Sequence, residues 1–266
     1  AERPSLMPEG QLSSQSDFSY GLPVLYRQYD GQAMSSTPSW VFREWPPVGV
    51  DFESAGSVAD YDRNQAVTQS RDDAILDRLG VTDGTRVLDL GCGTGTLMVQ
   101  AARRGAVCIA VDVSAEMIRQ ARHNSELAGV DVEFHQSSIL RYEHSGGPVD
   151  VVTMRAVLHQ LPDFWKQIAL NRIRKMLKVS GLLYLWDITY SFDPKAYLSE
   201  IEGWLDTAGM PKGEGYSRED YETHVREEFS TFTWILETII EKAGFAIVDK
   251  RYPLPVHAEY LCRAAG

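Results

Sequence analysis

The chain has 266 residues, 44% of them hydrophobic, and a formal net charge of −11, which admits one full α/β domain with an appended segment and sets a repulsive field against phosphate backbones. No nucleic-acid partner is therefore expected, since "RRG" at 103–105 and "RIRK" at 172–175 are too short to make a basic patch. Cys92, Cys108 and Cys262 are far apart, with no CxxC and no histidine pair at metal-ligand spacing, so no metal is expected and a reducing, cytoplasmic setting fits.

In chain order, residues 1–57 carry Ser, Pro, Gly and Gln with scattered aromatics and are expected to form an arm and lid, the first 15 residues mobile. "AERPSLMPEGQLSS" lacks the basic-then-apolar order of a signal peptide, and no stretch approaches the roughly 20 apolar residues of a membrane span, so no membrane partner is expected. A helix over Arg71–Leu79 stops at Gly80. "RVLDL" reads as a strand that leads through "GCGTG" into a helix ending at Gly105, and "AVCIAVDV" is a continuous apolar run suited to a buried parallel strand. Ser114 is placed to cap a helix carrying Met117, Ile118 and Ala121 that breaks at Gly129. "VEFHQ", "VDVVTMR", a helix from Asp163 and the strand "GLLYLWDI" follow.

Five strands separated by helix-length segments predict an α/β fold, a doubly wound, mostly parallel sheet. Residues 190–230 are polar, charged and aromatic and read as an insertion. The helix over 231–243 has Phe232, Ile235, Leu236, Ile239 and Ile240 on one face and closes at Gly244. "FAIVDKRY" and "VHAEYLCRA" lie close enough to predict an antiparallel hairpin, which brings the sheet to seven strands.

The glycine loop decides the cofactor class. Gly91, Gly93 and Gly95 give G-x-G-x-G, and Thr96 stands where a dinucleotide fingerprint needs its third small residue. The GK[ST] ending of a phosphate-cradling loop is missing too. Asp89, at the end of a buried strand, would repel a pyrophosphate and attract an ammonium. Asp112 ends the second strand, where a carboxylate suits the two hydroxyls of a ribose; both cofactor classes have a ribose, so Asp112 alone does not choose.

"VLDLGCGTG", "VDVSAEMI", "VDVVTMRAVLHQLPD" and "GLLYLWD", in that order and spacing, resemble the successive motifs of class I S-adenosylmethionine-dependent methyltransferases. Within them the chain is similar to the small-molecule branch that includes the ubiquinone and menaquinone biosynthesis methyltransferases, and "SVADYDRNQ" at 57–65 resembles that branch's cofactor-covering segment. The resemblance implies a Rossmann-like methyltransferase domain over 58–266 with residues 190–230 as a substrate cap. It implies S-adenosylmethionine as cofactor and S-adenosylhomocysteine as product. Asp89 and the loop Gly91, Cys92, Gly93, Thr94 and Gly95 would face the methionine part, and Asp112 the ribose, with Val113 and Met117 against the adenine. Ser138 and Ile139 stand where the family has an acidic or amide residue on the adenine amino group. Arg155 and His159 fall where the family reaches the sulfonium and the substrate, and Tyr61 would belong to the lid.

Methyl transfer from a sulfonium asks a protein to align acceptor, methyl and sulfur and to exclude water. A general base is needed only for an acceptor protonated at neutral pH, and His159 is the candidate by position, with a satisfied core or helix-capping histidine as the other reading. Asp187, Tyr190, Tyr216, His224 and Arg226 are the candidates for a small-molecule acceptor. Ser217 with Asp220 is also a helix-start box, after which the charges of the insertion would form a solvated face. The leading expectation is methyl transfer to a small molecule; the alternative is a non-catalytic cofactor- or partner-binding protein of this fold. The oligomeric state is not legible.

Overall fold

A computed structural model describes residues 40–44, 54–58, 61, 69–211 and 215–266. The expected mobile N-terminal stretch and most of the arm lie outside the described residues. Phe42–Gly266 forms one compact unit, and of the other, residues 1–41, only Trp40 and Val41 are described.

Helix α1 (Gln69–Leu79) leads into β1 (Arg86–Leu90), α2 (Thr96–Arg103), β2 (Val107–Asp112), α3 (Ala115–Ala128), β3 (Glu133–Gln136) and β4 (Val149–Arg155). After them come α4 (Asp163–Met176), β5 (Leu177–Tyr190), α5 (Tyr197–Ala208) and α6 (Arg218–Glu227). The two-residue β6 (Thr231–Phe232), α7 (Thr233–Lys242), β7 (Phe245–Leu254) and β8 (His257–Ala264) complete the chain. The sheet order is β3-β2-β1-β4-β5-β8-β7, with β6 attached to β5. β1 to β5 pair in parallel and β8 runs antiparallel to both β5 and β7, so the expected hairpin is present and its second strand is the inner one.

Each face of the sheet buries its own apolar layer. Ala169, Leu170 and Ile173 of α4 and Leu236, Ile239 and Ile240 of α7 pack over one face. Ile75, Leu76 and Leu79 of α1, Leu97 and Met98 of α2 and Ile118 and Ala121 of α3 cover the other. At roughly 1.5–3 kcal/mol for each large apolar side chain removed from water, these layers hold the strand ends in register. Local signals set the helix ends: the Ser114 side chain accepts from the Met117 N–H, and Gly129 takes the left-handed conformation with φ 66°.

Strand β5 begins four residues earlier than the apolar pattern suggests, because Leu177 already pairs with Val149; the chain then bulges before Leu182 pairs with Val151, and Ser180 takes φ 62° in that bulge. The insertion is helical. Ser217 and Asp220 form the reciprocal capping box of α6, and Trp204 of α5 is buried with its ring 4.9 Å from Tyr221, 6.0 Å from His224 and 6.4 Å from His257. That aromatic brace ties both inserted helices to the end of β8.

Candidate active site

The direction of chain connection reverses between β2-β1 and β4-β5, and the carboxyl ends of the strands on either side of this switch frame a crevice. A cavity of about 320 Å³ opens there. Gly91, Gly93, Asp112, Val113, Met117 and Ile139 line one part of it, and Trp186, His159, His224, Tyr216, Tyr221 and Glu228 another.

The glycine loop is shaped by sterics. Gly91 has φ 76°, and a Cβ there would lie 2.3 Å from Val157 Cγ2; Gly95 has φ 78°, and its Cβ would meet that of Ala121 at 3.0 Å. Gly91 and Cys92 both donate their N–H to the Val111 carbonyl, which folds the loop back on the end of β2. The same fold brings Asp112 against it: one carboxylate oxygen accepts from the Gly93 N–H at 2.9 Å and the other from the Ser114 N–H at 2.9 Å. Burial raises the Asp112 carboxyl above its ordinary range, and those N–H groups pull it partly back. The two oxygens keep further lone pairs for a ligand.

Asp89 sits beneath the loop, 1% exposed, accepting from Thr153 Oγ1 at 2.6 Å. Burial pushes its carboxyl up to about 6, against the pull of the Arg155 guanidinium. Arg155 donates to Asp72 at 2.6 Å, and that carboxylate is fully buried. Tyr61 packs against the loop in the cavity lining, where a Cβ on Gly93 would be 3.4 Å from its ring, and its hydroxyl is pushed up to about 12 by burial.

At the other end, the turn Leu158–Gln160 carries His159. Its Nδ1 lies 2.5 Å from Asp187 Oδ1, and Asp187 is held in turn by the N–H groups of Val157, Leu158 and Ile188. Asp187 is held below the ordinary carboxylate range and His159 above that of an imidazole, each through its charge on the other, against the opposing effect of burial. Just before this turn, Ala156 is left-handed at φ 55°, an unusual backbone for a residue with a Cβ, and its N–H donates to the Trp186 carbonyl. His257, stacked 5.0 Å from Trp186, is pushed down to about 4 by burial and is neutral at physiological pH.

Several expected site residues lie elsewhere. Cys92 and Thr94 turn into the core beside the loop, and Gly95 packs on α3. Ser138 lines a neighbouring groove of about 590 Å³ with Arg43, Glu44 and Arg141. Asp187 stands behind His159, away from the cavity wall. Tyr190 packs against Phe192 and Phe232 at 5.3 and 5.8 Å. Arg226 is on the outer face of α6, donating to Glu227 and Thr223, because the α6 residue turned inward is His224.

Sequence reasoning missed Glu44 and His257, whereas Tyr221 and Glu228 lie in the insertion expected to cap the acceptor. Glu44 accepts from the N–H groups of Ile139 and Leu140 at 2.9 and 2.8 Å and lines both cavities. Nothing local signals that contact, whereas the His224–Glu228 spacing of one helical turn was visible.

A family profile described as a methyltransferase domain matches residues 87–181. The chain is 30% identical over 169 residues to the ubiquinone biosynthesis O-methyltransferase of Brucella anthropi, a match covering 63% of this chain and 62% of that protein. It is 33% identical over 161 residues to the enzyme of the same name from Aeromonas salmonicida, covering 60% and 62%. The chain thus spans under two thirds of the length of these curated relatives. Among solved structures, magnesium protoporphyrin IX methyltransferase from Synechocystis PCC 6803 with bound SAH superposes with a TM-score of 0.56 at 18% identity, covering 80% of this chain and 96% of the other. A SAM dependent methyltransferase from Aquifex aeolicus superposes at 0.57 and 18%, covering 80% and 99%. Residues 87–181 thus match a methyltransferase domain, and the fold is the one seen in these solved methyltransferase structures.

Proposed function

We propose that the chain binds S-adenosylmethionine over the Gly91–Gly95 loop and transfers its methyl group to an oxygen of a small aromatic acceptor. The observation that carries this reading is that one cavity has the glycine loop with Asp112 on one side and a wall of aromatic and ionisable side chains on the other. S-adenosylmethionine supplies an electrophilic methyl on a sulfonium, and everything else falls to the residues of the chain. Asp112 takes the ribose hydroxyls, and Asp89 and the loop receive the methionine part. Val113, Met117 and Ile139 pack on the adenine.

Glu44 supplies the carboxylate that Ser138 does not, since it sits beside the Ile139 backbone at the rim of the same cavity. Trp186, Tyr216 and Tyr221 favour a flat, aromatic acceptor and exclude water around it. His159, His224 and Glu228 form the wall against which the acceptor hydroxyl loses its proton. The names of the curated relatives support an oxygen acceptor and a quinone-precursor class of substrate. The helices α5 and α6 act as the acceptor cap, and a setting inside the cytoplasm is part of this reading; among the described residues no helix is long and apolar enough to cross a membrane.

Calorimetric titration with S-adenosylhomocysteine and, separately, NAD tests the cofactor, followed by a screen of catechols and other phenols for methyl uptake. Micromolar binding of S-adenosylhomocysteine and none of NAD is expected. Absence of S-adenosylhomocysteine binding would leave a partner-binding protein of this fold, and binding without uptake by any phenol would overturn the acceptor class.

A further inference from the structure

Three side chains from separate elements converge at the acceptor end of the cavity. His159 comes from the turn after β4, while His224 and Glu228 come from the last turn of α6 and its C-cap. One ring nitrogen from each histidine and a Glu228 oxygen all lie within 4.8 Å of one another. Glu228 Oε2 is 3.2 Å from His159 Nε2 and 2.7 Å from His224 Nδ1.

The second nitrogen of each ring is already engaged. His159 Nδ1 faces Asp187 at 2.5 Å, and His224 Nε2 faces Ser230 Oγ at 2.8 Å. Each imidazole therefore offers one nitrogen to a common point and is fixed from behind by an oxygen, which is how ligating histidines are oriented in metal sites. Gln160 Nε2 donates to Glu228 at 3.0 Å and fixes the carboxylate too. Two carboxylates, Asp187 and Glu228, close on the single ring of His159 in a buried place, a charge distribution into which a cation fits. All three side chains are less than a tenth exposed and line the cavity.

Resting on the reading of this cavity as the acceptor side of a methyl-transfer site, we propose that His159 Nε2, His224 Nδ1 and Glu228 hold a divalent transition-metal ion of the zinc class. Two imidazoles and a carboxylate are the donor set that such borderline ions take when a fourth position stays open for water or substrate. That position faces the cavity. A hydroxyl bound there keeps its electron pair on the metal-bound oxygen and sheds its proton to water near neutral pH, so the acceptor reaches the methyl group as an oxyanion.

The test is a titration of the chelator-stripped full chain with Co²⁺, followed by displacement with Zn²⁺. One equivalent of Co²⁺ is expected to give visible d–d absorption and to be displaced by Zn²⁺. His224→Ala and Glu228→Gln should each weaken binding by at least about tenfold, and Asp187→Asn, which takes the charge from behind His159, by roughly 10–100-fold. Thermal unfolding and S-adenosylhomocysteine titration serve as folding controls. No stoichiometric Co²⁺ or Zn²⁺ binding at roughly 100 μM metal, or equal affinity in wild type, His224→Ala and Glu228→Gln, overturns the proposal. Metal binding without S-adenosylhomocysteine binding would leave the metal site standing and remove the methyl-transfer reading instead.

Discussion

Val157 packs its side chain against the backbone of Gly91, so closely that a Cβ on residue 91 would fall 2.3 Å from Val157 Cγ2. The Val157 N–H is itself directed at Asp187, 3.2 Å away, which limits how far the valine can retreat. Gly91→Ala therefore meets both a clash and a left-handed backbone that costs roughly 1–2 kcal/mol with a Cβ. Affinity for S-adenosylhomocysteine should fall at least about tenfold, and Gly91→Ala combined with Val157→Ala should recover part of it, because the second change removes the clashing methyls. Equal affinity in the single variant and wild type would show that the loop does not hold the cofactor.

Asp112 joins the glycine loop to the start of α3 through its two backbone contacts. Replacing it with Ala removes both acceptors and the proposed ribose partner, and hydrogen bonds to a charged group are worth about 1.5–3 kcal/mol each. A loss of tenfold or more in S-adenosylhomocysteine affinity is expected, with Asp112→Asn falling between. Calorimetry that finds the alanine variant unimpaired would remove Asp112 from the ribose.

Asp89 is expected to make the proposed cofactor binding pH-dependent. Its carboxyl stands at about 6 in the folded chain against an ordinary 3.8, so between pH values of about 4 and about 6 the folded state keeps a proton that the unfolded state has shed. The stabilising contribution of Asp89 is thus complete at the acid end of that window and is lost as pH rises through it. A ligand ammonium beside Asp89 favours the carboxylate and must displace that proton. Affinity for S-adenosylhomocysteine should therefore climb between about pH 5 and about pH 6, by at most about tenfold per unit, and level off above. Titrations at several pH values in wild type and Asp89→Asn check this; the same slope in both would place the ammonium elsewhere.

The buried pair of Arg155 and Asp72 is expected to matter more for stability than for the cofactor. Asp72 is fully buried and Arg155 largely so, and one Asp72 oxygen has no hydrogen-bond partner. Arg155→Met strands that carboxylate and should cost about 3–5 kcal/mol in denaturant unfolding, while Arg155→Met with Asp72→Leu should recover most of it. An additive double variant would show that the two side chains act independently.

How far the sequence could be read follows from the range of each interaction. The strands from "RVLDL" to "GLLYLWDI" and the Ser114 and Ser217 caps depend on neighbours a few residues away, and their periodicity and capping chemistry are written in the chain. The glycine loop is of the same kind, since left-handed turns favour glycine through the sterics of the residue itself. Helix α5 escaped notice because its apolar pattern is incomplete: Tyr197 and Leu198 stay exposed, and only Trp204 and Leu205 are buried.

The amino-acid sequence by itself determined the alternating sheet, the glycine loop and the place of Asp112, because each is set by local sterics and by the order of short elements. Only the tertiary structure decided what lines the far side of the cavity. Glu44 meets Ile139 across 95 residues and Gln160 meets Glu228 across 68, and the contact of His159 with His224 depends on where the inserted helices cross the strand ends. The last two meetings depend on how α5 and α6 pack on the sheet through Trp204, a relation that no spacing along the chain encodes.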